Sequence, residues 1–417
     1  MSFLNLNLTY QNIHFRHPSS SSSSCSSSTP NPLPPLPQGI SRSFIPTPHG
    51  NLEILHTTSP QTPKSQQPAL FLIHGGMGSA SVWLEYLSFL SQQKVPCYAI
   101  SMRGHGGSWY PSYLRMVYGT TKGDLTGDVV SGIRWAADKE REQEQGRGVI
   151  KGQETQVEMV LLGHSSGGGL AQYILSAGLL DMDGLEGVTA KVKVKGLVLM
   201  CAVPGFGSIP IYLTWFRLDP LFALRLLLHL GHPNSPLSHP SLVRRIFFSD
   251  HLPDSYLSRF MSFMNRYESF LWPLGMAWSF VDAEKVLLRI SGWGEQTRTP
   301  ETQQIQEERV LVIVGERDQI MTQPNMQRLA DWYRAAYQRL VEEKKIDGVV
   351  MGSGNETVNG IEVDGLGGPK DTVGMGVSKW CGGWRVALAG DEDTFSCTVN
   401  ANDKSGVIVN PCFGSLL

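Results

Sequence analysis

A serine gives the first hint of chemistry in this chain. Residues 161–169, "LLGHSSGGG", pass from an apolar run into small residues and hold Gly-x-Ser-x-Gly with Ser165 at the centre. A serine hydroxyl is a useful nucleophile only when it is held exposed beside a base. A sharp strand-to-helix turn gives that exposure, and small residues on either side let the backbone close up. Here "VEMVLL" before the serine is strand-like and "GGGLAQYILSAGLL" after it is helix-like. A Gly-Ser turn without activity is the plainer reading of the five residues alone. A second element is "LFLIHGGMGSASVW", where two glycines follow a buried run. The N–H of Gly76, with Met77 as the neighbouring candidate, is placed to join the N–H of Ser166 in holding an oxyanion. The third is Asp318 in "VLVIVGERDQI", just beyond the end of a strand, with Glu316 as the lesser choice. A carboxylate there orients an imidazole and stabilises its charged form.

These residues need a scaffold, and the apolar pattern supplies one. Short apolar runs recur at 69–76, 96–106, 157–165, 196–205 and 309–318, with a weaker one at 384–390. They do not alternate, as expected of strands buried on both faces. Helical patterns lie between several of them, after Thr126 and from Asn325. The fold class is therefore α/β, a mostly parallel sheet with helices on both faces. Five segments follow. Residues 1–41 are a Ser- and Pro-rich leader expected to be disordered and dispensable for folding. Residues 42–205 form the first part of the core, opening with a hairpin. Residues 206–300 are rich in Leu, Phe, Trp, Pro and Met, show no strand, and are expected to be a helical cap. Residues 301–390 complete the core, and 391–417 form an atypical tail. Within the core, 347–383 is glycine-dense and without a period, a poor fit to a compact domain.

"HGG", "RGHGGS" (103–108), "GHSSGG" and "GERD", in that order, resemble the α/β-hydrolase superfamily across about residues 44–320. In detail the chain is most similar to uncharacterised fungal hydrolases and lysophospholipase-like members. The resemblance implies an α/β-hydrolase fold with a cap inserted at 206–300. It also implies a serine mechanism with Ser165 as nucleophile, Gly76 and Ser166 as oxyanion donors and Asp318 as the acid. The base of such a site is a histidine on the loop after the last strand. By the resemblance "WRVALAG" (384–390) is that strand, so the base belongs near 391–394, where Asp391, Glu392, Asp393 and Thr394 stand. All eleven histidines precede Asp318. His105 is the best substitute by location; His74 and His164 belong to the motifs; His229, His232, His239 and His251 lie on the expected cap. Residues 347–417 are accordingly expected to depart from the family's usual C-terminus, as a misread exon boundary, retained intron or frameshift would cause, with true loss of the base as the alternative.

Composition narrows the partners. With 35 Lys and Arg against 37 Asp and Glu the formal charge is −2, which favours neither nucleic acid nor an anionic membrane as the main partner. The most apolar stretch, 209–230, is interrupted by Arg217, Asp219 and Arg225, so it reads as amphipathic or buried, with peripheral membrane contact as a secondary expectation. Six cysteines show no C-x-x-C and read as reduced thiols of a cytoplasmic protein. The acid-poor, Ser-rich leader makes a mitochondrial address the alternative. The leading function is a serine hydrolase of a carboxylic ester or other acyl compound, possessing no metal or cofactor requirement and taking a small-molecule, lipid-like substrate. The alternatives are a non-catalytic ligand-binding protein of the same fold, signalled by the missing histidine, and an oxidoreductase or lyase on the same scaffold.

Overall fold

The computed structural model describes residues 6–17, 33–58, 68–145, 156–181, 191–248, 253–293, 296–298, 304–306, 309–315 and 318–347, together with the backbone of 361–365, 384–391, 394–401 and 408–409. Strands β1 (Ile40–Thr47) and β2 (Gly50–Thr57) form the opening hairpin, followed by β3 (Ala69–Ile73), helix α1 (Leu84–Gln92) and β4 (Cys97–Ile100). Helices α2 (Tyr113–Gly119) and α3 (Lys122–Gln145) lead to β5 (Gln156–His164), α4 (Ser166–Ala177) and β6 (Lys191–Met200). Next come α5 (Ile209–Leu218), α6 (Phe222–Leu228), α7 (Pro240–Phe247), α8 (Asp254–Phe263), α9 (Leu271–Leu274) and α10 (Ala283–Leu288). A short hairpin, β7 (Gln296–Arg298) and β8 (Gln304–Gln306), precedes β9 (Val310–Val314) and α11 (Gln323–Glu342). Strands β10 (Ile361–Gly365), β11 (Trp384–Asp391), β12 (Thr394–Ala401) and β13 (Ile408–Val409) follow.

Eight strands form the main sheet in the order β1-β2-β4-β3-β5-β6-β9-β10, parallel from β4 to β10. Neighbouring residues of its central strands face opposite cores. Met159 and Leu161 of β5, with Val310 and Val312 of β9, pack with α3, α4 and α11. Val160, Leu162, Leu311 and Ile313 join Leu87 and Leu90 of α1 on the other side. Both faces are apolar because both are covered, which is why the runs lack alternation.

Three expectations need correction. First, 384–390 is not the last strand of the main sheet. It is β11, paired antiparallel with β12 in a separate three-stranded sheet, while β10 takes the place beside β9 with Val363 opposite Val312. β11 finds its partner only two residues away, and such a local pairing closes a very short loop. β10 comes from the glycine-dense stretch, where "IEVDG" carries two β-branched residues at alternate positions. Second, residues 206–300 are not one helical block set apart from the core. Helix α10 packs against α4 and α11, with Val286 and Leu287 fully buried, and 296–306 contains the β7–β8 hairpin. Third, residues 1–41 are not uniformly a leader without contacts. Residues 6–17 lie on the inserted helices: the Tyr10 hydroxyl donates to the Leu228 carbonyl, His232 to the His14 carbonyl, and Arg225 to the Leu6 carbonyl. Ile13 is buried, and Phe15 packs edge-on to His232. The Ser/Pro tract dominates the composition of 1–41 and hides the apolar "LNLTYQNIHF" before it. The tract at 18–32, the remainder of 347–383 and most of the tail lie outside the described residues.

Candidate active site

Ser165 is where β5 ends and α4 begins. Its φ of 53° and ψ of −127° belong to a sparsely populated region that costs a non-glycine residue about 1–3 kcal/mol. The surroundings hold it there. Its N–H donates to the Met200 carbonyl, and its carbonyl accepts from Gly168 and Val203. The flanking glycines are required by close approach. A Cβ on Gly163 would lie 2.5 Å from Gly168 Cα, and one on Gly167 only 2.3 Å from the His74 carbonyl oxygen. The motif's small residues thus serve to press the elbow against the strand beside it. Among the described residues nothing hydrogen-bonds the Ser165 hydroxyl.

The loop after β3 lies alongside. Gly76 is exposed, and its N–H donates to Ser166 Oγ at 2.8 Å. Ser166 opens α4, so its own N–H is among those that no helical carbonyl can accept. The neighbouring candidate, Met77, is engaged elsewhere: at φ +63° its N–H donates to Glu268 Oε2 at 3.0 Å. Of the two donors after β3, Gly76 is the one facing Ser166.

Asp318 follows β9 and has its Oδ1 held by the N–H groups of Ile320 and Met321 at 2.9 and 2.7 Å. Its carboxylate also accepts from the Cys201 thiol at the end of β6, and burial followed by this negative charge pushes that thiol well above its ordinary pKa. Ser165 and Asp318 therefore sit past the ends of β5 and β9 with β6 between them. Two strand spacings are about 9–10 Å, too far for direct contact and suited to a bridging imidazole. Glu316 lies outside the described residues.

No described histidine fills that place. His105 is fully buried, with Nδ1 donating to the Arg103 carbonyl at 2.8 Å and Nε2 2.9 Å from Glu268 Oε2. Burial works against its charge, but Glu268 and the Arg103 carbonyl outweigh this and raise its pKa. Burial likewise opposes ionisation of Glu268, yet His105 and the N–H groups of Met77 and Ser269 hold its carboxyl below the ordinary range. Both ring nitrogens of His105 are thus engaged, one by a carbonyl and one by a carboxylate, and neither is free to take a serine proton. His74 is neutral, its pKa pushed well down by burial and by His105; Nδ1 donates to the Gly75 carbonyl and Nε2 accepts from the Met102 N–H. Burial lowers His164 to about 4. His229 and His232 meet Ser235 and the 6–17 segment, and His239 caps α7. His251 lies outside the described residues. β10, beside β9, ends at Gly365, and the sequence that follows it, "LGGPKDTVGMG", holds no histidine.

Sequence reasoning missed Glu268. The signal was present: it is the sole carboxylate between Asp254 and Asp282, in a stretch dense with Phe, Met, Leu and Trp. A carboxylate in such a stretch must be paired or exposed. Glu268 is paired, and it ties the inserted helices to the Gly76–Met77 loop. Beside that loop is a small, mostly apolar hollow, with room for about one water, whose walls include Met77, Val82, Phe260, Phe263 and Met264. Among the described residues no group of His, Cys, Asp and Glu is arranged to hold a metal ion.

The profile of the alpha/beta hydrolase family matches residues 70–355 of this sequence. No curated protein matches it. Similar solved structures include a hydrolase from Pseudomonas aeruginosa PA01, 18% identical over 70% of this chain and 86% of that one, with a TM-score of 0.40. A thermostable carboxyl esterase from Bacillus coagulans is 13% identical over 79% and 90% of the two chains, with a TM-score of 0.46. A soluble variant of monoglyceride lipase from Saccharomyces cerevisiae is 14% identical over 73% and 86%, with a TM-score of 0.44.

Proposed function

The chain belongs to the alpha/beta hydrolase family, and from that premise we propose that it is a serine hydrolase scaffold for a carboxylic ester or other acyl compound. The observation carrying this reading is Ser165, strained at φ 53° on the turn between β5 and α4. Such strain persists where it has a use, and here it lifts a hydroxyl out of the backbone's hydrogen bonding. Ser165 attacks the acyl carbon, the N–H groups of Gly76 and Ser166 hold the oxyanion, and Asp318 orients the base.

The proton from Ser165 needs an acceptor that the chain as written does not supply after Asp318. Loss of the histidine from a serine triad costs about 10⁶ in kcat. The expected rate on simple esters is correspondingly low. That same missing histidine favours a second reading, a non-catalytic protein of this fold that binds an apolar ligand. A fluorophosphonate probe separates the two. Labelling of the full chain that disappears in Ser165→Ala supports an activated nucleophile. Absence of labelling, with a fluorescent fatty acyl ligand still bound, rules out the hydrolase in favour of the binding protein. Sequencing the transcript across codons 340–400 tests where the base went: a frame restoring a histidine after Gly365 makes the missing base an artefact of the written sequence.

A further inference from the structure

We propose that the outer face of the inserted helices, built from α5, α6 and the docked 6–17 segment, is an interfacial surface that seats on an anionic lipid bilayer. Large apolar side chains stand out from it. Leu213 is 54% exposed, Leu227 72% and Leu230 77%, with Phe216 and Leu224 nearly half exposed. They form one surface: the Phe216 and Phe222 rings meet at 5.0 Å across the turn between α5 and α6, and Tyr10 is anchored to the Leu228 carbonyl. Leu230 ends this surface in a left-handed turn at φ +54°, a conformation a leucine rarely adopts, and it is held there pointing into water. Soluble proteins seldom leave so many large apolar residues together without a use for them.

Charge selects the partner. Although the chain as a whole is −2, residues 6–17 and 209–248 carry five arginines (16, 217, 225, 244 and 245) and a single carboxylate, Asp219, while Arg244 is ion-paired with Asp254 at the start of α8. Asp219 is buried against Arg225, so it presents nothing outward. Arg16, Arg217 and Arg245 are exposed. Leucine and phenylalanine side chains flanked by these three exposed arginines suit an acyl boundary beneath a layer of phosphate and carboxylate headgroups. No helix among the described residues is long and apolar enough to cross a membrane, so the contact is peripheral. This surface does not depend on Ser165 chemistry and stands or falls separately from it.

Co-sedimentation of the full chain with vesicles tests the proposal. One set is phosphatidylcholine alone, and in the other about a third of the lipid is phosphatidylserine. The expected result is binding to the anionic vesicles that weakens with added salt. Leu227→Glu with Leu230→Glu should reduce it by about tenfold or more for each leucine lost. Arg217→Gln and Arg245→Gln should each reduce it about fivefold. These side chains are exposed, so thermal midpoints of the variants should match that of the parent. Absence of vesicle binding, equal binding to both vesicle types, or leucine variants that bind like the parent would overturn the proposal. So would a dimer in gel filtration that the leucine variants dissociate while none of the forms binds lipid, since a second copy would then be the occupant.

Discussion

Glu268 accepts from the Met77 N–H and pairs with the His105 ring in one buried position, so changing it tests both contacts at once. Glu268→Ala takes away one partner of a buried pair, and the expected cost is about 3–5 kcal/mol. Glu268→Gln keeps an oxygen for Met77 and should cost less. The pair also sets a pH window. His105, raised above its ordinary 6.5, contributes stability that is full below that value and lost as pH rises through its folded pKa. Glu268, held below its ordinary 4.5, contributes stability that is present above that value and lost as pH falls through its folded pKa. The thermal midpoint should therefore be highest between about pH 4.5 and 6.5 as far as this pair is concerned, and Glu268→Gln should flatten the decline on both sides. An unchanged profile in the variant would remove the pair from the account. Of these residues, Ser165 and Gly76 were legible because their motifs are contiguous in sequence. The Glu268 pairing was not, because its partners lie 163 and 191 positions away.

Two glycines show how elements impose opposite demands on one residue type. On α4, Gly167 has carbonyl oxygens of Ile73 and His74 within 2.5 Å of where a Cβ would sit. Gly167→Ala should destabilise by about 1–3 kcal/mol or more and displace the elbow. On α3, Gly127 has open space around the same position. Gly127→Ala should stabilise by about 0.5–1 kcal/mol, since alanine loses less backbone entropy in a helix interior. Urea titration of both variants checks the pair of signs. The same scale explains why the last strand was misplaced. "WRVALAG" and "IEVDG" both read as strands, and nothing in their own residues says which pairs with β9. Pairing partners are chosen by the chain around a strand as much as by the strand itself.

At the scale of the molecule, residues 6–17 close over the inserted helices, and their removal should be measurable. A chain starting at Leu33 loses the contacts of Tyr10, Ile13 and Phe15 and leaves Arg225, 1% exposed, without the Leu6 carbonyl. Each kcal/mol lost should lower the thermal midpoint by about 2–4 °C for a domain of this size or somewhat smaller. A midpoint within error of the full chain would return the segment to the status of a leader. Arg225 is a further marker here: buried, ion-paired with Asp219 and capping the Leu6 carbonyl, it joins α6 to the chain's beginning.

What the sequence determined by itself is local. Apolar runs without alternation require a sheet covered on both faces, and Gly-x-Ser-x-Gly between a strand and a helix requires the tight turn that Ser165 occupies, because both follow from neighbours along the chain. The absence of a histidine after Asp318 is equally a property of the sequence. What the tertiary structure decided are the relations between distant residues. It gave the sheet edge to β10, packed α10 against α4 and α11, and engaged both ring nitrogens of His105. Those outcomes depend on which buried polar groups find partners when separate segments meet, and a buried charge takes whichever partner the fold brings to it.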